Sequence, residues 1–140
     1  MNRDRLRALL VKHEALRLRP YRDTVGKLTI GCGRNLDDVG LRENEAYFLL
    51  DNDIDSSVNA LERTLPWFKD LDDVRQEVLI DMCFNMGIVK LVSKNPEMLK
   101  ACEAKDYPRA AAEMLNGPWK DEVHSRADEL AQAMSRGVFD

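Results

Sequence analysis

The sequence has few cysteines, and their spacing does not suit a disulfide framework or a zinc site. Only three occur among 140 residues, at positions 32, 83 and 102, and only two histidines accompany them. An odd number of cysteines without a Cys-x-x-Cys pair favours reduced thiols. We therefore expect no metal centre.

The sequence also lacks a long apolar run and a strong positive charge. Arg3, Arg5 and Lys12 interrupt the first helical pattern, so it has neither signal-peptide nor membrane-spanning character. We expect synthesis in the cytoplasm and no stable membrane insertion. The formal net charge is −4, yet residues 1–34 carry nine Lys and Arg against three Asp and Glu. A basic stripe over the whole domain is absent, so we expect no nucleic-acid partner.

What is present is enough apolar sequence for one compact domain. Hydrophobic residues make up 44% of the chain and charged residues 33%, a balance typical of soluble globular proteins. A length of 140 residues excludes a multi-domain assembly.

Hydrophobic periodicity predicts a mainly α, α+β fold. Short β-prone pieces between Leu18 and Leu36, separated by glycines, predict a small hairpin sheet. The wide apolar stripe that ends at Gly87 predicts a central helix. The helices are predicted over residues 3–14, 46–65, 71–87, 96–103, 107–115 and 122–134.

Three polar side chains near the hairpin suit glycoside chemistry. Asp23 follows Glu14 by nine residues, and Thr29 follows Asp23 by six. If the hairpin folds back over the helix end, these groups converge in a cleft. Glycosidic cleavage needs one protonated carboxyl, one ionised carboxylate and a positioned water. Taken alone the spacing is weak evidence, because most acidic residues are simply exposed.

The surrounding string is more specific. It contains Glu14-Ala-Leu-Arg-Leu-Arg, then Tyr21-Arg-Asp23-Thr-Val-Gly26, and then Thr29-Ile-Gly-Cys-Gly33. This segment closely resembles the active-site segment of the phage-type lysozymes, the endolysins of glycoside hydrolase family 24. Downstream, Met82-Cys-Phe-Asn-Met-Gly87 and the Trp119 to Arg126 segment resemble the family's central helix and its C-terminal signature.

The resemblance implies a lysozyme-like fold for the single domain 1–140. The small lobe with the hairpin would cover about residues 14–60. The helical lobe would comprise residues 1–13 and 61–140.

The resemblance also assigns roles to residues. Glu14 matches the general acid, Asp23 the second catalytic carboxylate and Thr29 the residue that helps to hold the attacking water. Two carboxyl groups about 6.5 to 9.5 Å apart would make the reaction inverting. Shielding of Glu14 by Leu10, Leu16 and Phe84 would disfavour its charged form. The residues matched to substrate binding are Phe84 and Asn85.

Three positions deserve comparison with the family pattern. Ala15 stands where a glycine commonly follows the acid, and we expect helix geometry to tolerate it. Arg34 stands where the family usually has a histidine with a structural role. We therefore expect this replacement to affect the stability and the pH response of the protein more than its activity. Arg126 matches an arginine that lies beside the catalytic acid.

The function implied is an endolysin muramidase that cleaves peptidoglycan during host lysis, without metal or organic cofactor. It would act as a monomer on glycan strands of the periplasmic wall, after a holin permeabilises the membrane. One alternative is a non-catalytic peptidoglycan-binding or virion structural module with this fold. Another is a transglycosylase that uses a single acid.

Overall fold

The computed structural model describes residues 1–140 and contains eight α-helices and one three-stranded sheet. The predicted mainly α, α+β fold is confirmed. The residues form two compact units, Met1–Leu49 and Leu50–Asp140. The division into a small lobe of about residues 14–60 and a helical lobe of residues 1–13 and 61–140 stays a prediction.

The first unit contains a helix followed by the sheet. Helix α1 spans Arg3–Glu14, and the side-chain oxygen of Asn2 caps it by accepting a bond from the backbone N–H of Arg5. The sheet is antiparallel with the order β1-β2-β3, so β2 is central and β1 and β3 are edges. The strands are β1, Arg17–Arg22; β2, Leu28–Gly31; and β3, Arg34–Asn35.

Helix α2, Glu43–Thr64, begins in the first unit and continues in the second. It ends just before Leu65 and Pro66, because proline at that point cannot continue the helical hydrogen bonding. No helix in the chain is both long enough and apolar enough to span a bilayer.

The second unit is helical around one apolar core. Helix α3 buries Val78, Leu79, Met82 and Cys83, which confirms the predicted central helix with a wide apolar stripe. A short 3₁₀ helix, Phe68–Asp70, precedes it. The helices from α3 onward are α3, Asp73–Met86; α4, Ile88–Lys94; α5, Pro96–Glu103; α6, Tyr107–Met114; α7, Pro118–Val123; and α8, Ser125–Arg136.

Two features of the second unit differ from the prediction. Helix α4 was not predicted, since its seven residues are too few for a clear period. The helix predicted over 122–134 begins later, at Ser125, because His124 takes a φ of 46° and interrupts the backbone. A separate helix, α7, lies mostly before the predicted range and was not predicted. Trp119 is 4% exposed and belongs to the apolar core of this unit.

The three cysteines are unpaired and differ in their surroundings. Cys102 lies in the core against the sulfur atoms of Met98 and Met134, at 3.6 and 3.9 Å. Burial raises the pKa of the Cys102 thiol to about 12. Cys83 is buried, whereas Cys32 is exposed.

Candidate active site

Glu14 is the last residue of α1, and its carboxyl group approaches the turn between β2 and β3. A Cβ atom built on Gly33 would lie 3.2 Å from Oε2 of Glu14. Gly33 also has a φ of 78°, a conformation that side chains rarely adopt. Glycine at this position therefore allows both the turn and the close approach of the acid.

The prediction that Leu10 and Leu16 shield Glu14 from solvent is wrong. Glu14 is exposed, and Leu10 and Leu16 retain 45% and 59% exposure. Leu16 lies beyond the helix end, in the two-residue connection to β1, so the helical period does not place it over the acid.

The residue after the acid carries backbone strain. Ala15 ends α1 with φ 63° and ψ 153°, a region that is essentially restricted to glycine. The expectation that helix geometry tolerates alanine here is wrong, because Ala15 lies outside the helix. Its N–H still bonds to the carbonyl of Val11, so the strained residue fixes the direction in which the chain leaves Glu14.

We expect Ala15→Gly to stabilise the protein by about 0.5–2 kcal/mol. The gain is the strain of roughly 1–3 kcal/mol, less the extra freedom that glycine gives the unfolded chain. Urea denaturation of both proteins measures it. Ala104→Gly is the matched control, since Ala104 follows α5 with an ordinary φ of −77° and should lose stability instead. A loss for Ala15→Gly as well would contradict strain at this position.

Asp23 lies in the β1–β2 turn with its carboxylate fixed by backbone groups. Its Oδ1 accepts bonds from the N–H groups of Val25 and Lys27, at 3.0 and 2.8 Å. Asp23 and Lys27 also share a backbone bond of 2.9 Å. These contacts leave Oδ2 available to a ligand or a water molecule.

Thr29 lies in the central strand and is the only buried polar residue, at 4% exposure. Its hydroxyl donates to the carbonyl of Lys27 at 3.0 Å, which leaves its lone pairs as acceptors. The N–H of the same residue, Lys27, bonds to Asp23. The backbone N–H of Lys27 thus holds the Asp23 carboxylate, and the backbone carbonyl of Lys27 holds the Thr29 hydroxyl.

Arg34 joins the sheet to the start of α2. Its guanidinium donates to the carbonyl of Gly40 at 3.1 Å and pairs with Glu45 at 2.8 Å. Glu45 also accepts from the backbone N–H of Arg42, as the glutamate of a capping box does. The hydrogen bond from Arg34 and then that from Arg42 lower the pKa of Glu45.

The contribution of this contact to stability depends on pH, because the contact lowers the pKa of Glu45. Because the folded pKa of Glu45 lies below its ordinary value of 4.5, the contact stabilises the fold above that pH. It is lost as the pH falls through the lower, folded value. We expect wild type to exceed Glu45→Gln in free energy of unfolding at pH 6 to 7, with the difference vanishing in acid. A difference that persists unchanged at pH 2 to 3 would contradict this assignment.

The residues predicted to bind substrate lie at the end of α3 in the second unit. Phe84 is 45% exposed and lines an open depression of about 400 Å³ with Leu50, Ile54 and Ile80. The side-chain carbonyl of Asn85 accepts a bond from Nε1 of Trp119 at 3.0 Å. Asn85 therefore anchors a core aromatic, and its amide N–H groups remain as donors. Contact of either residue with sugar stays a prediction.

Arg126 has a carboxylate partner that the sequence did not indicate. Its Nε donates to Oδ1 of Asp81 at 2.8 Å, and its second nitrogen lies 2.6 Å from the same oxygen. This ion pair borders the depression lined by Phe84 and ties α8 to α3.

Comparison with known proteins decides the family. The protein-family model described as Phage lysozyme matches residues 11–133 of the chain. This chain belongs to the phage lysozyme family. It is 26% identical to a protein named probable T4-type lysozyme 1 from Dictyostelium discoideum, over 96% of this chain and 95% of that protein. It is 29% identical to the SAR-endolysin of Escherichia phage Mu, over 96% of this chain and 81% of that protein.

Membership of the phage lysozyme family makes the chain a glycoside hydrolase of the lysozyme type. Glu14, Asp23 and Thr29 all lie within the first unit of this lysozyme, on α1 and the sheet. Sequence reasoning missed Lys27 as the partner of Asp23 and Thr29, Glu45 as the partner of Arg34, and Asp81 as the partner of Arg126. Only Glu45 had a usable signal, the capping-box spacing from Arg42.

Proposed function

We propose that this lysozyme is an endolysin muramidase. It hydrolyses the β-1,4 bond between N-acetylmuramic acid and N-acetylglucosamine in peptidoglycan, with inversion at the anomeric carbon. The observation that carries the proposal is the link through Lys27, which holds a carboxylate and a hydroxyl together on the sheet that Glu14 approaches. This set supplies the acid, the base and the water ligand of an inverting reaction.

In the proposed reaction Glu14 gives its proton to the glycosidic oxygen as the bond to the anomeric carbon breaks. Because Glu14 is exposed in the free protein, bound glycan would supply the desolvation that favours its protonated form. Asp23 accepts a proton from a water held by the Thr29 hydroxyl, and the oxygen of that water attacks the opposite face of the sugar. The products are two sugar chains, one with a new reducing end of inverted configuration.

The Thr29 hydroxyl can be tested separately from the strand. We expect Thr29→Val to reduce kcat at least about tenfold, the equivalent of one lost hydrogen bond of about 1.4 kcal/mol. Thr29→Ser keeps the hydroxyl and should retain most of the activity. The variants are compared by their turnover of soluble peptidoglycan chains, measured well below the melting temperature of each variant. Equal kcat for the valine and serine variants would remove Thr29 from the reaction.

The reaction itself is tested by product analysis in ¹⁸O-labelled water. Hydrolysis adds one labelled oxygen to the new reducing end, and early NMR spectra give its anomeric configuration. An anhydro-sugar without added water would indicate transglycosylation instead. Unchanged glycan would favour the binding or virion structural module.

The biological role proposed is host lysis. The enzyme would be made in the host cytoplasm and would reach the periplasmic wall after a holin permeabilises the membrane. It would act as a monomer on glycan strands, without nucleic acid as a partner.

A further inference from the structure

Strand β1 carries three arginines along an exposed edge of the sheet. Arg17, Arg19 and Arg22 occupy alternate or near-alternate positions of the strand Arg17–Arg22, and all three are exposed. The pairing register of β1 with β2 shifts between Arg17 and Tyr21, which places Arg19 in a bulge. Bulges beside active sites often redirect a side chain.

Two of these arginines have no carboxylate partner. Arg22 lies 3.7 Å from Asp37 and donates to the carbonyl of Gly26. Arg17 instead stacks over the ring of Tyr21, with 4.4 Å from its central carbon to the ring centroid. Stacking uses the face of the guanidinium and leaves its in-plane N–H groups free to donate. Arg19 makes no ion pair or side-chain hydrogen bond, so both Arg17 and Arg19 can accept an anionic ligand.

The strand runs alongside the candidate catalytic groups. Arg17 pairs with Gly31, two residues before the Gly33 that Glu14 approaches. Tyr21, at the other end of the bulge, pairs with Thr29. A ligand group bound at Arg17 and Arg19 would therefore lie on the part of the sheet between the acid and the water-holding hydroxyl.

We propose that Arg17 and Arg19 bind the carboxylates of the peptide stems on muramic acid, so that this strand selects peptide-bearing glycan. This inference rests on the proposed function. N-acetylmuramic acid differs from N-acetylglucosamine by a lactyl ether, which carries the peptide stem with its free carboxylates. Guanidinium groups match carboxylates with two parallel hydrogen bonds, which makes arginine well suited to this ligand.

The charge distribution favours a local contact over general attraction. The whole chain has a formal net charge of −4, so its net charge does not attract it to an anionic cell wall. Positive charge is concentrated in residues 1–34, where nine Lys and Arg face three Asp and Glu. The stems are fixed to the sugar that flanks the scissile bond, so a cation beside the acid meets them whenever the glycan is bound.

The test uses Gram-negative sacculi in two forms, native and with their carboxylates converted to methylamides. The native form presents carboxylates without teichoic acid phosphate, and the amidated form keeps the stems but removes their charge. We expect Arg17→Gln and Arg19→Gln each to raise the apparent KM on native sacculi about 2- to 5-fold, and the double variant about 5- to 20-fold. On amidated sacculi the variants and wild type should differ less than about twofold, with kcat unchanged on both forms.

Arg5→Gln is the matched control, since Arg5 is an exposed, unpaired arginine on α1 and its loss changes the net charge equally. An equal rise in KM for Arg5→Gln would indicate general attraction and overturn the proposal. So would a rise of the same size on amidated sacculi, or no rise at all.

A binding measurement separates this inference from the proposed function. Co-sedimentation of Glu14→Gln with each form of sacculi, with and without the two arginine substitutions, needs no turnover. If wild type releases no product, the proposed function fails, and the sedimentation ratio between native and amidated sacculi still decides the role of the arginines. Weaker sedimentation of the arginine variants on native sacculi alone supports it, and equal sedimentation of all variants rejects it.

Discussion

Glu14→Gln is expected to lower turnover of peptidoglycan by about 10²- to 10⁴-fold, the range of general acid catalysis. Glutamine keeps the size and shape of the side chain but cannot supply a proton to the leaving oxygen. Because Glu14 is exposed and makes no ion pair or side-chain hydrogen bond, its replacement breaks no contact of the folded protein. The free energy of unfolding should therefore change by less than about 0.5 kcal/mol. Release of reducing ends from purified sacculi measures the activity.

Glu103→Gln is the control for this substitution. Glu103 is also the last residue of a helix, α5, and is also exposed. The two variants lose the same charge at the same kind of helix end, so they share any effect on the helix dipole or on solubility. Near-normal turnover by Glu14→Gln, or a loss no larger than that of Glu103→Gln, would reject Glu14 as the acid.

The candidate site could be proposed from the sequence because its residues lie in one short segment that resembles the active-site segment of the phage-type lysozymes. Glu14, Asp23 and Thr29 lie within sixteen residues, on one helix end, one turn and one strand. The helix over residues 3–14 was predicted at its observed bounds, because a polar cap precedes its apolar period. The turn at Asp23 follows from an aspartate that bonds to backbone groups two and four residues later.

The contacts that hold the remaining structure were not predictable in the same way. Arg126 bonds to Asp81 across 45 positions of sequence, and a local period carries no signal for such a pair. The strain at Ala15 was missed because propensity favours alanine in a helix, whereas this alanine is the residue after the helix. His124 separates α7 from α8 with a positive φ of 46°, which the residue type does not indicate.

Arg75 is the clearest case of a contact that only the structure reveals, and its loss is expected to have the largest effect on stability. From α3, its Nε donates to the carbonyl of Met134 at 2.8 Å and a second nitrogen donates to that of Ser135 at 2.9 Å. These carbonyls belong to the last turn of α8 and have no partner within the helix. The guanidinium also pairs with Asp72 at 3.2 Å and stacks on Tyr107 at 3.9 Å.

Arg75→Met is therefore expected to lower the free energy of unfolding by about 2–4 kcal/mol, because it leaves two carbonyls and Oδ2 of Asp72 without their donor. The Arg75 side chain is only 14% exposed and its bond to Met134 is partly buried, so water replaces that bond poorly. Gly137→Ala should also lower the free energy of unfolding, since a Cβ there would collide with the Arg75 guanidinium and Gly137 has a φ of 76°. Arg63→Met, which removes one exposed bond to the carbonyl of Asn59, should cost less than about 0.5 kcal/mol. In urea denaturation, a loss for Arg75→Met as small as that of Arg63→Met would show that α8 ends stably without its cap.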